Sequence, residues 1–360
     1  MKCKFESCQE DTFEDSDYCI LHSKLPEDEK STEFIRINDL KNKKIKLKVE
    51  SGEGNFKGIG LFEIDLSGLE IKENLFFTRS KVKKDIKFIN SKIYGDISFD
   101  GSNIGGNAYF ESVRIYGSTS FYGASINGNI WFDNAIISNY LWFEKAEIAG
   151  EISFNEANIE GSVSFQDSSI GENISFYRAR IKGNAWFDRA KIKGNAWLEF
   201  LQIGGKLNFK NTEFSDPGSQ EKCCRKAKKL WENIGDREKA DYYFYREMEA
   251  KRKQKPYYIQ YMEMIVQYPF GYGVYPYRLL ITFIVTLLSF AIIFWIIEGM
   301  QNMDLLMQNI KFSFLTMIIP AYGVINAKSG IYGLFTIIEA IIGAFTWPTF
   351  IVTFARKYMR

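Results

Sequence analysis

Phenylalanine recurs every eleven residues from Phe77 through Phe88, Phe99, Phe110, Phe121, Phe132, Phe143, Phe154, Phe165, Phe176 and Phe187 to Phe209, with Leu198 in the single gap. Five residues after each comes Ile, from Ile93 to Ile203, with Val82 and Phe214 at the two ends. Alanine often sits between them (Ala124, Ala135, Ala146, Ala157) and Gly often follows two places after the Ile. An eleven-residue apolar period also suits a right-handed helical coiled coil. A Gly in nearly every unit, at about 1 kcal/mol each in a helix interior, opposes that. The Ile, Phe, Trp, Asn and Ser between the glycines suit short extended segments and turns. The pattern therefore predicts a β-solenoid, with an inward Phe, an inward Ile and a small residue at a tight corner, like side chains stacking from coil to coil. Tyr109, Trp131, Trp142, Trp186 and Trp197, each just before the repeat position, are expected to face outward, either as a stripe for a protein partner or as positions covered by neighbouring subunits or loops.

The unit F-x-x-A-x-I-x-G-x-I/A-x resembles the pentapeptide-repeat family over about residues 61–216, with steps of five and six residues alternating. The resemblance implies a right-handed quadrilateral β-helix. Two units per coil would give roughly seven coils at about 4.8 Å each. The named Phe and Ile are core on this reading, and none is catalytic. Family members that mimic DNA look strongly acidic, whereas here Arg114, Lys182, Arg189 and Lys193 are scattered along the rod.

After Pro217 the period changes to that of helices. Glu221–Ile234 and Arg237–Lys255 are broken at Gly235-Asp236 and ended by Pro256, a hairpin with a weak resemblance to a single tetratricopeptide unit. Leu279–Ile297 is then a run of nineteen uncharged residues, and Gly330–Ala355 is apolar apart from Glu339. Both are long enough to cross a bilayer. Arg278 before the first span, and Arg356, Lys357 and Arg360 after the second, outnumber Lys311 and Lys328 between them, which predicts cytoplasmic N- and C-termini. The intervening stretch Leu305–Met317 is largely apolar and too short to span, as in a re-entrant helix, and is followed by an irregular run, Ile318-Ile319-Pro320-Ala321-Tyr322-Gly323.

That layout resembles the two-transmembrane potassium-channel pore family over about residues 278–357. Of the family's T-x-T-T-x-G-Y-G filter pattern the chain keeps Thr316, Tyr322 and Gly323. Ile318 and Ile319 stand where threonines would be, Pro320 carries no N–H, and Ala321 replaces a glycine. The resemblance implies a homotetrameric pore for a monovalent cation, with potassium selectivity not carried over. Glu339, an ionisable group within a span, is a candidate for support behind the filter. Gly343 and Pro348 are candidates for an inner-helix hinge or, on the plainer reading, for close packing and a static bend.

Composition adds two points. Cys3-x4-Cys8-x10-Cys19-x2-His22, which includes the one histidine of the chain, fits a closed structural Zn²⁺ site, the alternative being a disordered tail with chance cysteines. Charge is balanced at 46 basic to 44 acidic residues, which gives no reason to expect a nucleic-acid partner. The charged first 30 residues lack the apolar core of a signal peptide, and no nucleophile motif or phosphate loop suggests an enzyme. The expected order is a zinc segment (1–30), a solenoid (31–216), a helical connector (217–276) and a pore module (277–360). The expected function is a multi-pass cell-membrane cation channel whose cytoplasmic solenoid regulates or assembles it. The alternative is a non-conducting, membrane-anchored scaffold that binds proteins.

Overall fold

The computed structural model of the protein describes residues 1–6, 8–298, 303–327 and 330–358. Lys328 and Arg360, which enter the charge argument above, lie outside the described residues. Two units are formed, Met1–Tyr243 and Phe244–Arg360.

In the first unit the chain winds through two-residue strands that stack in parallel into four sheets of eight, seven, seven and seven strands. Ala108 pairs with Ile130 and Arg114 with Ile136, so each coil takes 22 residues, two of the eleven-residue units. Strands this short cannot hold themselves together, and each gains its backbone partners only from the coils above and below. The two Phe columns fill the centre. Phe77, Phe99 and Phe121 lie face to face with ring centroids 5.0 and 5.2 Å apart, and Phe132 meets Phe121 edge-on at 6.5 Å. Offset-stacked and edge-on pairs are the arrangements that ring quadrupoles favour.

The corner has a finer structure than the repeat suggests. Two residues after each Phe the backbone is left-handed, with φ of 57° at Asn134 and Lys145 and 59° at Asp167, and the following Ala N–H bonds back to the Phe carbonyl, 3.0 Å for Ala135 and Phe132. Positive φ at the third residue of a four-residue turn is the signature of type II. The small Ala beyond it is inside, with Ala135 and Ala146 fully buried. Glycine is needed for a different reason: a Cβ on Gly128 would lie 2.5 Å from the Gly106 carbonyl one coil away.

The solenoid does not begin at residue 31. Residues Thr32–Glu50 form a helix, α1, N-capped by Ser31, whose hydroxyl accepts from the Phe34 N–H at 3.1 Å. Phe34, Ile37, Lys41 and Ile45 make its buried face, and the first strand is Gly60–Leu61. At the other end α2 (Pro217–Ile234) starts at an Asp216 cap and stops at the left-handed Gly235, and α3 is Arg237–Lys253.

The second unit contains α4 (Tyr257–Phe270), α5 (Pro276–Ile297), α6 (Met303–Ile318), α7 (Pro320–Asn326) and α8 (Ile331–Tyr358). Pro276–Ile297 and Ile331–Ala355 are long and apolar enough to cross a membrane. The run from Ile318 to Gly323, expected to be irregular, is mostly helical. Ile319 alone (φ −125°, ψ 82°) interrupts it. Pro320 forces its predecessor out of the α region but is itself favoured at the first position of a new helix, so the chain is helical again from Pro320.

Removing one ring from a column should cost far more than changing an outward side chain. Phe132→Ala is expected to lower unfolding stability by about 3–5 kcal/mol, whereas Ile136→Thr, at an outward-facing strand position, should stay within about 0.5 kcal/mol. Urea unfolding followed by the β-sheet circular dichroism signal measures both.

Candidate metal centre and membrane helices

Cys3, Cys8, Cys19 and His22 come together, each offering one ligand atom, with all four atoms within 4.8 Å of one another. Two thiolates about 2.3 Å from a tetrahedral Zn²⁺ would stand about 3.8 Å apart, and a thiolate and an imidazole nitrogen about 3.5 Å. The Cys8 and Cys19 sulfurs are 3.8 Å apart, and Cys3 Sγ lies 3.6 Å from His22 Nδ1. Cys19 Sγ is nearer to that nitrogen, at 3.1 Å. His22 Nε2 donates to the Lys57 carbonyl at 2.9 Å, a partner that only accepts, so Nδ1 is left with its lone pair turned to the sulfurs.

The thiols respond to this crowding in opposite directions. Burial, which would raise Cys3, is outweighed by the Cys19 and Phe5 N–H groups, and its pKa is lowered to about 7. Burial pushes Cys8 up to about 12, and the neighbouring Cys19 adds to the rise. Closely packed thiols that cannot all ionise together describe a site that a cation would settle. The cluster can hold a metal ion with all four positions protein-filled, which leaves no place for a reacting water.

This centre is seated on the first coil. Phe5 stacks on His22 at 4.1 Å and lies over Gly58, which has a φ of +70° and where a Cβ would fall 1.9 Å from the Phe5 ring. Lys41 on α1 is completely buried, and its ammonium donates to the carbonyls of Ser23 (2.5 Å), Gly60 (2.6 Å) and Leu21 (3.3 Å). Gly60 N–H in turn donates to Leu21 at 3.2 Å. The metal segment and α1 thus cover the first edge of the stack.

The far edge is covered by side chains from α2 and α3. The Ala196, Phe209 and Asn211 N–H groups donate to Ser219 Oγ (2.9 Å), Tyr243 Oη (2.8 Å) and Tyr242 Oη (3.1 Å), and Trp231 Nε1 donates to the Leu207 carbonyl at 3.0 Å. Cys223 and Cys224 are buried there, and burial pushes the Cys223 thiol up, which makes them packing residues. Lys41, Phe5, Gly58 and the two tyrosines escape sequence reasoning, because each acts through tertiary placement. The one local signal is a lysine on the apolar face of α1.

In the second unit α6 carries a polar face, Asn309, Ser313 and Thr316, into the space between α5 and α8. Asn309 Nδ2 donates to Glu298 at 2.7 Å and Tyr332 Oη to Asn309 Oδ1 at 3.3 Å. Ser313 Oγ lies within reach of the Leu287 carbonyl (3.0 Å) and of Glu339 Oε1. Glu339 and Thr316 are fully buried, and among the described residues Glu339 Oε2 and Thr316 Oγ1 have no hydrogen-bond partner. Of the expected filter residues, Gly323 rests against Thr316, where a Cβ would meet its side chain at 2.4 Å, while Ile319, Tyr322 and the neighbouring Val324 are exposed. Ile318 packs against Phe283, Leu287 and Met317, Pro320 is half-buried and Ala321 is exposed. Gly343 lets α8 touch the α6 backbone, its Cβ position being 2.5 Å from the Met317 carbonyl, and α8 continues unbroken through Pro348. Close packing, the plainer of the two expectations, describes Gly343.

The four-sided stack with its capped ends defines a β-solenoid. Residues 99–147 and 143–191 match the family model for pentapeptide repeats (9 copies), so the repeats of this region are pentapeptide repeats. No curated protein and no solved structure matches the chain.

Cys19→Ser should abolish stoichiometric metal, measured by mass spectrometry of the purified protein, and open residues 1–50 to protease while leaving the β signal of the rod in place. Lys41 gives a pH signature. Burial depresses its pKa to about 8, below the value of 10.5 that it has in the unfolded chain. Between those values the unfolded chain binds more protons, so stability rises with pH. The midpoint of thermal unfolding should therefore increase from pH 8 to 10, and Lys41→Met should remove that increase.

Proposed function

We propose that the protein is an ion-channel subunit of the cell membrane, in which α5 and α8 span the bilayer, α6 enters it between them, and a homotetramer surrounds a path for monovalent cations. The observation that carries this reading is α6. At 16 residues, or about 24 Å, it is short of a span, yet it packs between two span-length helices and brings buried polar side chains with it. A polar face at membrane depth is costly unless it serves a pathway or is matched by partners. Cytoplasmic termini follow from the basic residues outside the two spans. The solenoid then lies in the cytoplasm as the regulatory or assembly domain, and the N-terminal site holds a structural Zn²⁺ that closes its first edge.

The helical backbone of Pro320–Asn326 favours a second reading, a non-conducting membrane scaffold. Carbonyls engaged within a helix cannot replace an ion's hydration shell as an extended filter does. The two readings separate in planar bilayers containing purified tetramer under K⁺/Na⁺ bi-ionic conditions. The channel reading expects unitary cation currents reversing near zero, since the residues that would select potassium are replaced. Silence from a verified tetramer would reject it in favour of the scaffold.

A further inference from the structure

In a stack of identical coils, outward side chains also form columns, and on two faces of this rod a column of bulky residues is interrupted in the same way. Trp131 pairs in register with Ser153, Ser153 with Ser175, and Ser175 with Trp197. Phe76, Ser98, Ser120 and Trp142 repeat the arrangement on another sheet. Each interruption leaves a trough closed at both ends by an aromatic ring and floored by two serines. The first has a volume of about 510 Å³ and the second about 400 Å³, within the range of small-ligand sites.

The first trough has a definite charge. Glu151 stands along one side and Asp133 along the other, and no lysine or arginine lines it. Glu199, beside the Trp197 end, is occupied by Lys222 at 3.2 Å. Asp133 accepts from Ser153 Oγ and from the Asn155 N–H at 2.9 Å, which holds its carboxylate in place over the floor. Among the described residues neither Asp133 nor Glu151 has a cationic partner. Ser175 Oγ is engaged with Asn155 Oδ1 at 2.6 Å, so the floor is hydrogen-bonded within itself and offers a narrow apolar-and-hydroxyl surface rather than free donors. The second trough is likewise acidic, with Asp96, Asp100 and Glu144 and no lining lysine or arginine.

We infer that these troughs bind linear aliphatic diamines or polyamines, with the chain lying over the two serines and an ammonium group facing each aromatic end. The carboxylates supply the charge complement, and the ring faces attract ammonium within about 6 Å. Three coil steps of about 4.8 Å separate the end walls by roughly 14 Å, so two cations, each about 4 Å from a ring face, would stand roughly 6 Å apart. That spacing selects a ligand charged at both ends. A neutral sugar could stack on the rings but would leave Asp133 and Glu151 uncompensated.

The test is calorimetric titration of the full chain in detergent with 1,4-diaminobutane, spermidine and butylamine. The inference expects saturable binding of the diamine or triamine, roughly tenfold or more tighter than the monoamine, and weakened by salt. Trp197 is 39% exposed, so Trp197→Ala should fold normally, as the β signal would verify, and should lose most of the binding in the first trough. Glu151→Gln should weaken it without altering stability. Equal binding of butylamine, binding unchanged in both variants, or binding confined to a neutral oligosaccharide or a lysine-rich peptide would each overturn the inference.

Discussion

The coils of the first unit obtain most of their backbone hydrogen bonds from their neighbours, and within a coil the recurring bond is the turn that follows each Phe. Because the strands are two residues long, the 22-residue register between coils is the only regular pairing available. Once that register is set, like residues must face like residues. Phenylalanine then meets phenylalanine at about the sheet spacing, and glycine occurs where two chain segments nearly touch. The internal ladders are the consequence of the pairing and also its stabiliser, since each buried ring removes apolar surface from water in proportion to its area.

A stack built this way has two ends at which the pairing stops, and unpaired strand edges invite association with other chains. The chain treats its two ends differently. At the last coil, hydroxyl and indole groups on α2 and α3 take up individual N–H and carbonyl groups. At the first coil, too few residues are present to form a core, and a four-ligand cluster together with a buried lysine does the same task. A metal held by these four groups would tie a segment too small to have a core of its own to the first edge of the rod.

The solenoid, its coil length and the identity of its core were legible in the sequence because strict periodicity leaves few alternatives. That Cys3, Cys8, Cys19 and His22 form one group was legible from residue type and spacing. What stayed hidden depends on distance in space. Lys41 reads as an ordinary helix lysine until Leu21, Ser23 and Gly60 surround it, and residues 31–50 had been assigned to the rod although Ser31 carried a helix-cap signal. The helical backbone from Pro320 onward stayed hidden for a local reason: the run from Ile318 to Gly323 reads as irregular by its likeness to a filter, whereas a proline also opens helices. Glu339 was marked by its type, but its contact with Ser313 and the close approach of Gly343 to Met317 needed the helices in place.

The left-handed corners have a consequence for how long such a rod can grow. Asn134, Lys145, Glu156, Asp167, Arg178 and Arg189 all hold a backbone conformation that glycine would adopt freely, at about 1–2 kcal/mol for each residue with a Cβ. The same side chains supply the charge that keeps the rod's outside wet. Solubility is thus obtained at the corners in exchange for strain, coil by coil, and the buried rings must outweigh that strain in every coil separately. A coil added by duplication would thus have to bring buried side chains that offset its own corners, and Leu198, the one substitution in the ring series, lies beside the capped end, where its carbonyl accepts from Lys226 Nζ on α2 at 3.5 Å.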